Sequence, residues 1–304
     1  MRQKFEWDLG KRRLALGERT LVMGVVNVTP DSFSDGGLHF DPKHAVGHAL
    51  RLLDEGVDIV DVGGESTRPG AGVRPTAGGQ NFARQHVSVP EEEELRRVIP
   101  VVEAVKRARP DAVVSVDTYK AAVASAAVTA GAEIVNDVSG FLWDAAMATT
   151  LRGLTCGAVL MHMRGRPEEW RTLPPIGDAL GVVKRELRDR TGKALEAGIA
   201  GERLVLDAGF GFGKNFDENY PLLGRFGELQ ELGFPLMAGV SRKSFLGRTV
   251  ARHGKDAPTA ERLAATLAAE TALVLSGVHI LRTHDVRACV DAVWVAEAIL
   301  RAQG

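Results

Sequence analysis

The residues of this sequence that could do chemistry stand where short apolar runs end. Asp117, Asn136 and Asp207 each follow such a run directly. Four longer polar segments follow other runs, namely NVTPDSFSDGG at 27–37, GGESTRPG at 63–70, GVSRKS at 239–244 and RTHD at 282–285. If the runs are parallel strands of one barrel, their carboxyl ends meet at one mouth, and these groups gather there.

Three of these side chains suit the edge of a flat heterocycle. Asp117 and Asp207 can present carboxylate oxygens to a planar N–H edge, with the paired geometry of an arginine–carboxylate contact. Asn136 can both donate and accept hydrogen bonds beside them. The group therefore predicts recognition of a ring that carries several N–H donors.

The cationic residues suit an anion. Arg282 and His284 are two residues apart, so on a strand their side chains point to the same side. With Lys243 they could surround phosphate oxygens. Together with the carboxylates, they predict a site for a nitrogen heterocycle that carries phosphate.

Each residue alone also has a purely structural explanation. Asn136 or Asp117 could cap the next helix, and His162 and His284 could be ordinary hydrogen-bonded histidines. The glycines of GFGFGK could be turn residues, because the run fits neither a Walker loop nor a dinucleotide fingerprint. Polar residues at the ends of eight apolar runs are harder to explain by capping alone.

The elements that must position these groups alternate regularly. Eight apolar runs alternate with helical patterns, and the continuous apolar character is typical of strands covered on both faces. The runs lie at 21–26, 57–62, 112–116, 133–135, 158–161, 203–206, 235–240 and 278–281. This predicts a single-domain (β/α)8 TIM barrel over 1–304, and an open doubly wound sheet is the alternative.

Two segments stand apart from the alternation. Residues 1–20 read as two short strands, which predicts a β-hairpin covering the bottom of the barrel. Residues 70–90 are rich in Gly, Pro and polar residues, which predicts a long inserted loop after strand 2.

Composition narrows the function classes. The 304 residues are 45% hydrophobic and carry a net charge of −1, so neither nucleic acid nor a membrane is an expected partner. The start of the chain lacks the apolar segment of a signal peptide, which favours a cytoplasmic protein. The histidines lack a zinc pattern, and we expect Cys156 and Cys289 to be buried thiols.

The motifs resemble one family closely. They are MGVVNVTPDSFSDGG, IVDVGGESTRPG, SVDTYK, the 207–215 run containing GFGFGKN, GVSRKSFLG and RTHD, in that order from about residue 20 to residue 300. This set resembles bacterial dihydropteroate synthase. The resemblance implies a pterin-binding TIM barrel, usually a homodimer, that condenses (7,8-dihydropterin-6-yl)methyl diphosphate with 4-aminobenzoate. The products are 7,8-dihydropteroate and diphosphate, on the folate pathway that sulfonamides block.

The resemblance also implies a role for individual residues. The residues matching the pterin-binding set are Asp117, Asn136, Asp207 and Lys243. The residues matching the diphosphate site are Asn27, Thr67, Arg68, Arg282 and His284, with Asn27 as the contact for Mg²⁺. The residues matching the aminobenzoate side are Phe33, Pro69, Phe212 and Ser244. The residues with an implied catalytic role are Asp35, Lys243, Arg282 and His284; in the family, the loop that carries Asp35 folds over the site.

The resemblance and the charges together favour a dissociative reaction, in which diphosphate leaves before the aromatic amine attacks. Positioning and stabilisation of the leaving group would then supply most of the catalysis. Two alternatives remain: a methyltetrahydrofolate-type pterin methyltransferase and a pterin-binding paralogue without catalysis. The first should lack the pair Arg282 and His284 and the first-loop motif, and the second should have lost Asn27, a loop aspartate or Lys243.

Overall fold

The structure is a computed structural model that describes residues 2–28, 42–65, 88–170 and 172–303. Its first element is an antiparallel hairpin of β1 (Phe5–Asp8) and β2 (Arg13–Leu16). The eight strands that follow form one closed parallel barrel in chain order. They are β3 (Leu21–Asn27), β4 (Ile59–Gly63), β5 (Val113–Asp117), β6 (Ile134–Asp137), β7 (Gly157–Met161), β8 (Leu204–Asp207), β9 (Leu236–Ala238) and β10 (Ile280–Thr283). The predicted barrel is confirmed, and the alternative prediction of an open doubly wound sheet is wrong.

Helices cover the outside of the barrel. Within the described ranges they are α1 (Pro42–Asp54), α2 (Glu91–Ala108), α3 (Ala121–Ala130), α4 (Met147–Gly153), α5 (Ala179–Glu196), α6 (Asn219–Gly224), α7 (Ser244–Thr249), α8 (Leu263–Leu275) and α9 (Val286–Ala302). Four glutamates occupy the first turn of α2 and favour it through the helix dipole. That helix continues through Pro100, which stands on its exposed side. None of the described helices is long and apolar enough to cross a membrane.

Alternate residues of each strand belong to two separate apolar layers. Val60 and Val62 of β4 pack outward among the helices, whereas Ile59 packs inside the barrel. Parallel pairing in register keeps this parity around the barrel: Asp61 pairs with Ser115, and Gly63 with Asp117. Every second residue of a strand therefore faces the barrel axis, and the last of these residues lie at the carboxyl mouth.

The hairpin fills the opposite mouth. Trp7, Leu9 and Leu16 are fully buried against the lowest inward side chains of the barrel strands. The indole Nε1 of Trp7 donates a hydrogen bond of 2.8 Å to the carbonyl oxygen of Arg203, just before β8. The hairpin predicted for 1–20 is confirmed. It leaves the carboxyl mouth as the end of the barrel that is open to a ligand.

Candidate active site

A cavity of about 370 Å³ lies at the carboxyl mouth of the barrel. Its walls contain nine of the predicted site residues, contributed by strand ends and by the loops after them: Asn27, Asp117, Asn136, Asp207, Phe212, Lys243, Ser244, Arg282 and His284. The sequence placed these residues at one mouth, and the structure brings them around one space large enough for a small molecule.

The centre of the site is the guanidinium of Arg282. Its Nε donates to Oδ2 of Asp61 at 2.7 Å, and its Nη2 donates to Oδ2 of Asp117 at 2.6 Å. Asn136 donates from Nδ2 to the same oxygen of Asp61 at 3.1 Å, which fixes the orientation of the amide. Four side chains from four strands therefore form one buried network beneath the cavity.

Charges in this network are strongly coupled. Burial raises the pKa of Asp117 to about 7, although the positive charge of Arg282 opposes the rise. The two carboxylates in turn raise the pKa of Arg282 above its usual range, against the effect of its burial. Arg282 is therefore permanently charged, and Asp117 can change its protonation near neutral pH.

Asp207 ends β8 at the cavity wall. Its carboxylate Oδ1 accepts a hydrogen bond of 2.7 Å from the backbone N–H of Gly209. Burial raises the pKa of Asp207, and the hydrogen bond from Gly209 and the cations Lys243 and Arg282 oppose that rise. A buried carboxylate with one oxygen tied to the backbone is suited to accept N–H groups of a ligand.

Lys243 stands just before α7, at the end of an unusual turn. The residue before it, Arg242, has a left-handed φ of 57°. Its guanidinium makes a paired contact with Asp285, and its carbonyl oxygen accepts from Arg262 at 2.9 Å. These contacts hold a strained backbone that aims Lys243 at the cavity.

Aromatic and apolar groups form the adjoining wall. Nζ of Lys243 lies 3.9 Å from the centroid of the Phe212 ring, a cation–π contact. The Trp170 ring forms a T-shaped contact with the Phe212 ring, at a centroid distance of 5.4 Å and an interplanar angle of 87°. Met161 and Val138 complete this apolar side. A flat ring could stack here beside the polar groups.

His284 follows β10 on the same side as Arg282. Its ring Nδ1 lies 3.0 Å from the hydroxyl of Ser241, which also accepts from the His284 backbone N–H at 3.1 Å. Thr283, between the two, is fully buried on the other side of the strand. The parity predicted for Arg282 and His284 is confirmed.

Five predicted site residues cannot be placed. Phe33 and Asp35 of the first loop, and Thr67, Arg68 and Pro69 of the second, lie outside the described residues. So does most of the predicted 70–90 loop, of which only 88–90 is described.

Some polar residues at the strand ends do not face the cavity. Asp137 accepts hydrogen bonds from the backbone N–H groups of Ser139 and Phe141, and so it fixes the turn after β6. His162 is fully buried behind the mouth, near Glu186. The structural explanation offered for His162 is therefore correct, and Asp137 has a structural role as well.

Sequence reasoning missed three polar groups of the site. Asp61 is fully buried below the cavity, and Glu65 lines the cavity and accepts from Lys120 at 2.5 Å. Ser241 orients His284. A charged residue inside the apolar run 57–62 was a usable signal for Asp61, because an unpaired charge is rarely buried.

Few of the described residues are candidate metal ligands. They contain no group of three or more His, Cys, Asp or Glu side chains that could hold a metal ion. Asn27, at the end of β3, faces the same cavity as Arg282 and His284. One amide oxygen beside a diphosphate fits Mg²⁺, which usually keeps several waters and binds through one or two protein oxygens plus substrate phosphates.

Known proteins resemble the chain along nearly its whole length. The family model for pterin binding enzymes matches residues 23–284. Dihydropteroate synthase of Escherichia coli K12 is 43% identical over 283 residues, which are 93% of this chain and 92% of that protein.

Solved structures agree in fold as well. Xanthomonas albilineans dihydropteroate synthase with 4-aminobenzoic acid superposes with a TM-score of 0.85 at 42% identity, over 98% of this chain and 99% of that one. The same organism's enzyme in complex with 7,8-dihydropteroate gives 0.81 at 40% identity, over 97% and 98%. With these matches and with its own barrel-mouth site, the chain belongs to the family of pterin binding enzymes.

Proposed function

We propose that the chain is a dihydropteroate synthase, joining (7,8-dihydropterin-6-yl)methyl diphosphate to 4-aminobenzoate. The observation that carries this proposal is the arrangement of one cavity, where Asp207 and Asn136 lie on the same walls as Arg282 and His284. Acceptors for a pterin edge thus stand near cations for a leaving diphosphate. The 43% identity to a dihydropteroate synthase supports the same activity.

The reaction we propose is a substitution at the pterin methylene carbon. The bond from this carbon to the diphosphate oxygen breaks, and its electron pair leaves with diphosphate. The pterin ring spreads the positive charge that remains. The amine nitrogen of 4-aminobenzoate then supplies the pair for the new C–N bond and releases a proton to solvent.

The described residues divide this work. Asp207 and Asn136 would hold the ring by its N–H edge, and Arg282, His284 and Lys243 would offset the charge that grows on the leaving group. Because these groups are held at strand ends and in the turns that follow them, little reorganisation is needed when the charge appears. Holding the two substrates next to each other in the correct orientation would supply the rest of the rate enhancement. Asp35 would stabilise the cation from the first loop.

Mg²⁺ is the cofactor we propose, with Asn27 as its ligand from the described residues. When bound, it would neutralise negative charge on the diphosphate.

A homodimer is the assembly we propose. Of nine exposed large apolar side chains among the described residues, five lie on α8 and α9, which pack together. They are Leu263, Leu275, Trp294, Val295 and Ile299. Trp294 and Val295 are each 62% exposed, and burying such a pair against a second copy would remove apolar area from water. Trp294→Glu should shift sedimentation from dimer to monomer, and a monomeric wild type would contradict the proposal.

The cytoplasm is the location we propose, because a diphosphate ester is too highly charged to cross a membrane unaided.

The decisive experiment measures diphosphate release from the purified chain with the pterin diphosphate, Mg²⁺ and 4-aminobenzoate. We expect release that requires the aromatic amine and yields dihydropteroate. Asp207→Ala should lower kcat/KM by at least about a hundredfold, because a charge-assisted pair to the ring is lost. Asp189→Ala, on the exposed side of α5, is the matched control and should be normal. Wild-type protein without amine-dependent release would end the proposal.

A further inference from the structure

A buried lysine lies behind the turn that carries Asp207 to the cavity. Lys214, the lysine of GFGFGKN, is 7% exposed. Its Nζ donates to the carbonyl oxygen of Gly209 at 2.6 Å and reaches that of Phe212 at 3.4 Å. It also lies 2.9 Å from Nδ1 of His162. Three acceptors therefore surround this amino group. Burial lowers the pKa of Lys214 to about 7, and in its ammonium form it has one N–H bond for each acceptor.

The histidine partner is held as an acceptor. Burial lowers the pKa of His162 to about 3, so the ring is neutral at ordinary pH. Its Nε2 faces the carboxylate of Glu186 at 3.2 Å, and that carboxylate also accepts from Arg190. The proton of the neutral ring thus belongs on Nε2, toward Glu186, which leaves Nδ1 to accept from Lys214.

The turn that Lys214 holds is tightly packed. Gly209 has a left-handed φ of 64°, and a Cβ there would lie 1.8 Å from the carbonyl oxygen of His162. The N–H of Gly209 holds Oδ1 of Asp207 at 2.7 Å, while its carbonyl holds Lys214. A shift of this glycine would move the carboxylate. The second carbonyl belongs to Phe212, whose ring contacts Lys243 at the cavity.

We propose that Lys214 is a positioning residue for pterin recognition, acting through the carbonyls of Gly209 and Phe212 to set Asp207 and the Phe212 ring at the cavity wall. This inference rests on the proposed function. The diphosphate side of the cavity is built on other elements, since Arg282 and His284 belong to β10 and the segment after it. Loss of Lys214 should therefore affect the two halves of the substrate differently.

The test is equilibrium binding of two separate probes, 6-hydroxymethylpterin and inorganic diphosphate with Mg²⁺. Lys214→Met keeps the length of the side chain and removes its three donors. We expect pterin affinity to fall at least about tenfold, the scale of a lost hydrogen bond from a charged group, with diphosphate affinity unchanged within twofold. Lys214→Arg retains a cation and should recover part of the loss. Lys193→Met, exposed on α5, is the matched control.

A second variant guards against misfolding. His162→Gln keeps a polar group toward Glu186 and removes the Nδ1 acceptor, so it should weaken pterin binding in the same selective way, by a smaller factor. Equal loss of both probes, or no loss of either, would overturn the inference. A wild-type chain that fails to bind the pterin would instead reject the proposed function, which keeps the two failures distinct.

Discussion

Replacing Asp61 with alanine removes the only carboxylate below the cavity that contacts both Arg282 and Asn136 among the described residues. Asp61 is fully buried, and its Oδ2 accepts from the two side chains at 2.7 and 3.1 Å. After truncation the Nε of Arg282 and one amide N–H of Asn136 would be buried without these acceptors.

The contacts that remain set the size of the stability loss expected for Asp61→Ala. Breaking a buried ion pair by removing one partner costs about 3–5 kcal/mol. Asp117 still pairs with Arg282 at 2.6 Å, so we expect the lower end, about 3 kcal/mol off the free energy of unfolding. Asp61→Asn keeps an acceptor and loses only the charge. Hydrogen bonds to charged groups exceed neutral ones by about 1–2 kcal/mol, which sets its expected loss.

Urea unfolding followed by circular dichroism measures both variants. The control is Ser115→Ala, at the position paired with Asp61 on the next strand. Its hydroxyl is buried and has no hydrogen-bond partner among the described residues, so its removal should change stability by less than about 0.5 kcal/mol. If Asp61→Ala costs no more than Ser115→Ala, the network does not hold Arg282 in place and our reasoning about it is wrong.

Two further predictions concern a buried carboxyl group and a tightly packed glycine. Burial raises the pKa of Glu270 to about 7, so the folded state holds this proton more tightly than the unfolded state does. Stability should therefore fall as pH rises from about 4.5 to 7, and Glu270→Gln should remove that part of the slope in urea titrations; identical slopes would contradict this. Gly209→Ala should abolish folding or pterin binding, because its Cβ would meet a carbonyl oxygen at 1.8 Å. Gly192→Ala, mid-helix in α5 with nothing within 4 Å, should instead stabilise the chain by about 0.5–1 kcal/mol in thermal melts, and equal behaviour of the two would refute the packing argument.

The order of elements could be predicted from the sequence because each strand is apolar on both faces and short. The predicted run 112–116 became β5 at Val113–Asp117, and 278–281 became β10 at Ile280–Thr283. The boundaries moved by one or two residues, since the strand continues into the polar residue at its end. Parallel pairing includes that residue because its backbone still bonds to the neighbour, as in the pairing of Asp117 with Asn136.

The internal contacts of the site could not be predicted in the same way. Lys214 looks like one more residue of a glycine-rich turn, and only the folded chain places it against His162, 52 positions earlier. Arg282 was predicted as an anion anchor, and its pairing with Asp61 crosses 221 positions. Local spacing carries no information about such pairs, because they depend on which strands the barrel brings face to face.

Asp137 shows the deeper reason why polar strand ends cannot be sorted from sequence alone. It follows Asn136 directly, yet Asn136 faces the cavity and Asp137 faces the turn behind it. In a sheet with one wet face, the alternation of polar and apolar residues would reveal which parity points inward. A barrel strand is apolar on both faces, so that signal is lost. Asp61 restores it in the folded chain, because its carboxylate contacts Arg282 and Asn136 inside the barrel. Once one inward residue is known, the parallel register extends its parity around the barrel, to Asp117 on the next strand and then to Asn136.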